Sequence, residues 1–330
     1  MTKGIYLAAP SWLPLLYGPR ERAELDGDID WVAAPQSAQS IQEDLSRLQD
    51  VAVIFAGWGT AVMDEMFLAA ASNLRAVFHA GGSVRYFTTP AFWERAIVLS
   101  TATAINALPV AEYTVAAILF GLRGGWYFER ATHRAGAFPA SIPVAGTYGS
   151  TVGLISLGSV GRLVIDRLRS YDLRVIANDP HVSPADAKNL GIELVSLGDL
   201  FARSDAVSLH APLLEETKGM IRGAHFSAMK RGALFINTAR GAVVNEPEMI
   251  AVLAQRPDLH AVLDVTFPEP PLAGSPLFSL PNVFLTPHIA ATAGAEAQRL
   301  GRAMVEEFHR WRDGTPLLHQ VTKESAPLRG

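Results

Sequence analysis

The stretch Thr151–Arg162, TVGLISLGSVGR, begins with strand-like TVGLI, turns through Gly158 and Gly161, and runs into the amphipathic LVIDRLRSYDL. A buried strand that turns through glycines into a helix presents backbone N–H groups and the positive helix end to a pyrophosphate. The next apolar run, RVIAND, ends at Asp179, 18 residues beyond Gly161. That is close to the roughly 20 at which a carboxylate reaches a ribose 2′-hydroxyl. The pattern predicts a dinucleotide fold that takes NAD. A 2′-phosphate would be repelled by Asp179, and Pro180, His181 and Val182 supply no arginine to receive it. Ser156 stands where the fingerprint has its first glycine, so it must make the tight turn without glycine's freedom at positive φ.

Downstream of this stretch, AVSLHA, ALFINTA, AVLDV and VFLTPH read as further strands of the same parallel sheet. Upstream, Gly4–Ala8, Val51–Phe55, Ala76–His79 and Ile97–Leu99 form an earlier series of the same kind. The fold class is therefore α/β with two parallel sheets, and 330 residues are more than one core usually organises. NALPVAEYTVAAILFGLRGG, with Pro109 in its first turn, is expected to be a helix connecting the domains. GAEAQRLGRAMVEEFHRWRDG carries Met304, Phe308 and Trp311 on one stripe, stops at Gly314 before Pro316, and should return the chain to the first domain. The expected division is a discontinuous substrate domain, 1–105 with 294–330, around a dinucleotide domain, 106–293. The tail VTKESAPLRG is expected to be frayed.

Composition narrows the function classes. A net charge of −4 with 18% charged residues gives no basic footprint for nucleic acid. Without cysteine there is no disulfide framework, thiolate metal site or cysteine nucleophile, and the cytoplasm is the expected compartment. Pro10 and Pro14 interrupt the N-terminal apolar stretch, so no export signal is expected. The longest apolar run, Val115–Leu122, is far short of the roughly 20 residues that cross a bilayer, so no membrane partner is expected either. None of the nine histidines forms an HxxxH pair and no acidic cluster accompanies them, so no metal is expected.

Three residues close late strands: Arg240 in NTARG, Glu269 in DVTFPEPP and His288 in TPHIAA. Ligands of open α/β sheets lie at the carboxyl ends of strands, so the three are expected to converge. A guanidinium grips a carboxylate bidentately, a histidine exchanges protons near neutrality, and a carboxylate beside it favours the imidazolium and fixes the ring. Such a set suits hydride transfer to a 2-oxo acid.

HAGGSVR, NALPVAEYTVAAIL, TVGLISLGSVGR, SLHAPLLEETKGMI, MKRGALFINTARGAVVNE, LDVTFPEP and LTPHIAA follow one another as they do in the D-isomer-specific 2-hydroxyacid dehydrogenases, which the chain resembles over nearly its whole length. The resemblance implies two Rossmann-like or flavodoxin-like domains, a homodimer formed through the NAD domain, and Arg240, Glu269 and His288 as the catalytic residues. It implies carboxylate binding by the backbone at Gly81, Gly82 and Ser83. It implies cofactor contacts from Gly158, Ser159, Val160, Gly161, Asp179, His210, Ala211, Pro212, Thr217, Thr238, Ala239 and Asp264, the last toward the nicotinamide carboxamide. Two departures bear on the substrate. Arg85 and Tyr86 stand where many members have an acidic residue and an amide, so Arg85 either meets a second acidic group or forms a structural ion pair. Trp58 is either a pocket wall or ordinary packing. Ala56 and Gly57 occupy the strand end where phosphoglycerate dehydrogenases typically carry a phosphate-binding arginine, so phosphoglycerate is not the expected substrate, and no regulatory domain is expected after residue 330. Glu269, in place of the formate enzymes' glutamine, argues against formate. The alternative from another class is an NADH-sensing protein resembling the family's corepressors, which would need a peptide-docking groove.

Overall fold

The computed structural model describes residues 1–328. It divides into two compact units, 1–106 with 292 onward, and 107–291. The strands along the chain are β1 (Thr2–Leu7), β2 (Ile29–Trp31), β3 (Val53–Ala56), β4 (Ala76–His79), β5 (Val98–Thr101), β6 (Thr151–Ile155), β7 (Arg174–Asn178), β8 (Glu193–Leu194), β9 (Ala206–Leu209), β10 (Leu234–Asn237), β11 (His260–Leu263), β12 (Val283–Leu285) and β13 (Gln320–Val321).

In the first unit the sheet order is β13-β5-β4-β3-β1-β2, parallel except for β13. VIFA and AVFH are buried at every position because apolar residues cover both faces. Ile5, Leu7, Ile54 and Val77 pack on one face. Tyr6, Phe55 and Phe78 pack on the other with Leu300, Met304 and Phe308 of the helix Ala297–Arg312. That helix carries the expected stripe, and its chain turns out at Gly314, φ +67.

The second unit has seven parallel strands in the order β12-β11-β10-β9-β6-β7-β8. One face packs Val115, Ile118 and Leu122 against Val152, Leu154 and Ile236, and the other is built on Phe201, Phe226 and Phe235. Helices start where side chains supply missing acceptors, as at Ser183, Ser196 and Asn245.

The structure corrects several expectations. The connecting helix spans Thr103–Leu122, so Pro109 lies inside it rather than in its first turn. The carbonyl of Ala102 accepts from both Ile105 and Asn106 and starts the helix before the proline. By length and apolar composition this helix could cross a membrane, contrary to the sequence expectation, but half of it is buried as a core helix. The tail is not frayed: Val321 is buried and pairs with Leu99, and Ala326 is buried as well, while its last two residues lie outside the described residues. The strands β2, β8 and β13 have two or three residues each, too few to show a period.

Candidate active site

Because the strands of the second unit are parallel, their carboxyl ends share one edge, and chain order reverses between β6 and β9. Such a switch point opens a crevice for a ligand. Gly158 and Asp179 follow β6 and β7 on one side of it. Residues 210–212, 238–240, 264–269 and 286–288 follow β9 to β12 on the other.

On the first side Ser156 takes φ +73, the left-handed conformation its position demanded. Gly161 is held so close that a Cβ there would stand 2.4 Å from the Ser156 carbonyl oxygen, so only glycine fits. Gly158 caps the helix Ser159–Leu168 with no side-chain acceptor, and a Cβ on it would meet open space. The first N–H groups of that helix are thus left for an anion. Arg162 donates Nε to the Leu157 carbonyl and turns back onto the loop. Asp179 accepts the N–H of Leu157 at 2.7 Å and of His181 at 2.8 Å, which fixes its carboxylate against the turn. His210 has its Nε2 buried without a partner, and desolvation lowers its pKa to about 4, so its ring is neutral at pH 7. A bare helix terminus, an anchored carboxylate and an orphaned ring nitrogen on one sheet edge fit a dinucleotide. Thr217 spends its hydroxyl locally, donating to the Pro212 carbonyl at 2.6 Å and accepting from Leu214 N–H at 2.8 Å, so it shapes the turn. Ala211 is buried, and Thr238 is buried with its hydroxyl 3.2 Å from that of Thr114. Ser159 is exposed, whereas Val160 and Ala239 are half-buried.

On the other side His288 Nδ1 lies 2.6 Å from Glu269 Oε1, and both side chains remain more than 40% exposed. This pairing leaves Nε2 as the ring atom that can give or take a proton outward. His288 itself is left-handed, φ +55. The buried Asp264 holds it there: its carboxylate accepts from Thr286 Oγ1 at 2.6 Å and from the N–H groups of Ile289 and Ala290 at 2.8 and 2.9 Å, while its carbonyl accepts from His288 N–H. Asp264 therefore anchors the histidine loop first, and the carboxamide contact expected of it would use acceptor capacity left over. Since Thr286 spends its proton on Asp264, the Tyr113 hydroxyl, 2.9 Å away, donates to Thr286. Glu246 accepts Phe267 N–H at 2.9 Å and steadies the loop that carries Glu269. Asn237 accepts Ala239 N–H and donates to the Arg240 carbonyl, shaping the turn from which Arg240 projects. A Cβ on Gly241 would fall 2.0 Å from the Thr266 carbonyl carbon, so the arginine turn lies directly on the glutamate loop. Tyr113, Thr286, Glu246 and Asn237 escaped the sequence reading because their roles are hydrogen bonds to particular side chains and backbone groups that no spacing encodes.

The remaining candidates belong to the first unit. The Thr101 hydroxyl donates within reach of the Gly81 and Gly82 carbonyls, and Thr103 to that of Gly82. With those carbonyls tied back, the N–H groups of Gly82 and Ser83 meet no protein acceptor among the described residues, whereas that of Gly81, expected to join them, is spent on the His79 carbonyl at 2.8 Å. Arg85 is exposed on the same loop. Trp58 is half-buried, its ring 4.4 Å from that of Trp12.

Residues 115–290 match the family model described as D-isomer specific 2-hydroxyacid dehydrogenase, NAD binding domain. The chain is 36% identical over 250 residues to (S)-sulfolactate dehydrogenase of Chromohalobacter salexigens, covering 75% of this chain and 81% of that one. It is 32% identical over 263 residues to D-3-phosphoglycerate dehydrogenase of Archaeoglobus fulgidus, covering 80% of this chain and 50% of that one. The chain thus spans about half the length of the phosphoglycerate dehydrogenases it matches. In fold it is similar to D-mandelate dehydrogenase of Rhodotorula graminis, with a TM-score of 0.81, 23% identity and 98% of each chain covered.

Proposed function

The chain belongs to the D-isomer specific 2-hydroxyacid dehydrogenases, and from that membership we propose that it reduces 2-oxo acids to D-2-hydroxy acids with NADH and runs the reverse oxidation with NAD+. The observation that carries the reading is the 2.6 Å pair of His288 and Glu269, on loops joined to the Arg240 turn and on the sheet edge that also bears the dinucleotide turn.

Arg240 binds the substrate as the guanidinium partner of its carboxylate, and the N–H groups of Gly82 and Ser83, taken within the first unit alone, suit an anionic group. Glu269 holds the Nδ1 side of His288, so the ring holds its transferable proton at Nε2. NADH, when bound, supplies the hydride. As C2 gains that hydride, the carbonyl electron pair moves to oxygen, and His288 protonates the oxygen. In the oxidation His288 takes the hydroxyl proton. Asp179 favours NAD over NADP, since its fixed carboxylate accepts a ribose hydroxyl and repels a phosphate.

The test is NADH oxidation followed with glyoxylate, hydroxypyruvate, pyruvate and phenylpyruvate, for the parent and for His288→Asn. At least one acid should be turned over, and His288→Asn should lower kcat by about a hundredfold or more, within the span of general acid catalysis, while NADH binding persists. Turnover of none of these acids, or an unimpaired variant, would remove the reading.

A further inference from the structure

The sheet of the first unit has a switch point of its own. Its parallel strands run in the order β5-β4-β3-β1-β2, so chain order reverses between β1 and β3, and a crevice is expected outside their carboxyl ends. Trp12 follows β1 and Trp58 follows β3. Their rings meet at 4.4 Å between centroids, tilted by 51°, and both are half-buried against the aromatic core. The two segments are joined by the Ala9 N–H, which donates to the Trp58 carbonyl at 2.8 Å. From the loop after β4, Tyr86 donates its hydroxyl to the Gly57 carbonyl and lays its ring beside the same strand end. That loop also carries the unpaired N–H groups of Gly82 and Ser83. A loop with free N–H groups therefore shares one sheet edge with three aromatic side chains drawn from three adjacent strand ends.

Cations are sparse where a second anionic group would need them. Residues 8–12, AAPSW, and 56–60, AGWGT, hold no cation, and Arg85 is the only one on the loop after β4. Resting on the 2-oxo acid reading above, we propose that Trp12, Trp58 and Tyr86 form the side-chain pocket of the substrate, and that the preferred acids carry an aromatic group on C3, as arylpyruvates do. The aromatic faces take the ring by stacking and apolar burial, while the loop N–H groups take the carboxylate. The reaction is the one already written: hydride to C2, proton to the former carbonyl oxygen, NADH converted to NAD+.

The experiment has two arms. Kinetics with NADH compare phenylpyruvate, pyruvate and 3-sulfopyruvate for the parent, Trp58→Ala and Trp58→Phe. Calorimetry measures binding of 3-phenyllactate and lactate to the NADH-bound protein, which needs no turnover. We expect kcat/KM for phenylpyruvate at least tenfold above that for either other acid, and phenyllactate bound at least tenfold tighter than lactate. Trp58→Ala should lower kcat/KM for phenylpyruvate about tenfold more than for pyruvate, and Trp58→Phe should restore most of the difference. A preference for 3-sulfopyruvate, or equal losses on both acids in Trp58→Ala, would overturn the proposal in favour of Arg85 or of mere packing. Absent turnover together with selective phenyllactate binding would overturn the proposed reaction and leave the pocket standing. Absent turnover without such selectivity would overturn both.

Discussion

Ser156 and His288 are the non-glycine residues with positive φ among those described, and they stand at two turns of the candidate site in the second unit. A left-handed conformation costs an L-residue roughly 1–2 kcal/mol, so both turns are held against a local preference by their surroundings. His288 is held by the bonds its loop makes to Asp264. Ser156 is held by its N–H, which donates to the Asn178 carbonyl, and by the approach of Gly161 from the far side. Ser156→Gly should therefore raise the stability of the second unit by up to about 1 kcal/mol, as the strain relieved exceeds the entropy glycine loses. Gly161→Ala, by contrast, should cost about 2 kcal/mol or more and weaken NADH binding, because its methyl would meet the Ser156 carbonyl. Urea unfolding and NADH fluorescence titration check both, and an alanine variant as stable as the parent would contradict the close approach. Much of this was legible beforehand: the serine in a glycine position announced its strain, and Arg240, Glu269 and His288 were marked by strand ends. The hold of Asp264 on the histidine loop was not, since it depends on which way three backbone N–H groups point.

At the scale of elements, long apolar strands and capped helices could be read from their periods, while the edges of both sheets could not. The least legible edge is β13, whose two residues carry no pattern. What fixes it is Glu307, a carboxylate with 1% of its side chain exposed, on the helix Ala297–Arg312. It accepts from the Ser100 hydroxyl on β5 at 2.9 Å and from the N–H groups of Leu318 and His319 at 3.0 Å each, which lays the chain down just before β13. A buried glutamate immediately before Phe308 of the helical stripe looks in sequence like an ordinary exposed charge. Glu307→Ala should leave three donors without an acceptor and destabilise the first unit by about 2–4 kcal/mol, each lost partner costing about 1–3 kcal/mol before relaxation. Glu307→Gln, which keeps one acceptor oxygen, should lose less. Urea unfolding decides the matter, and an alanine variant within 0.5 kcal/mol of the parent, about the spread of neutral surface changes, would refute it.

At the scale of the molecule, each unit has its own sheet and its own response to solvent conditions. In the first unit His79, at the end of β4, is fully buried with both ring nitrogens unpaired, and desolvation lowers its pKa to about 3. The unfolded chain protonates this ring near pH 6.5, while the folded unit resists until about pH 3. The unfolded state thus binds more protons across that window, so the contribution of His79 is complete above about pH 6.5 and lost as pH falls toward 3. Between pH 8 and pH 5.5 the first unit should lose about 1.4 kcal/mol from this ring, and His79→Leu should flatten that slope. Unfolding midpoints at the two pH values test it, and a parent protein with no slope would show that the ring is protonated in place.

The first unit is built from both ends of the described chain, whereas the second is a single contiguous stretch. During synthesis the second unit can close as soon as residue 291 has emerged. The first cannot, because Leu300, Met304 and Phe308 complete the core around Phe55 and Phe78. An aromatic sheet face made in the first third of translation therefore waits uncovered for nearly two hundred residues. In a crowded cell that interval is when this protein is most exposed to aggregation and most in need of a chaperone.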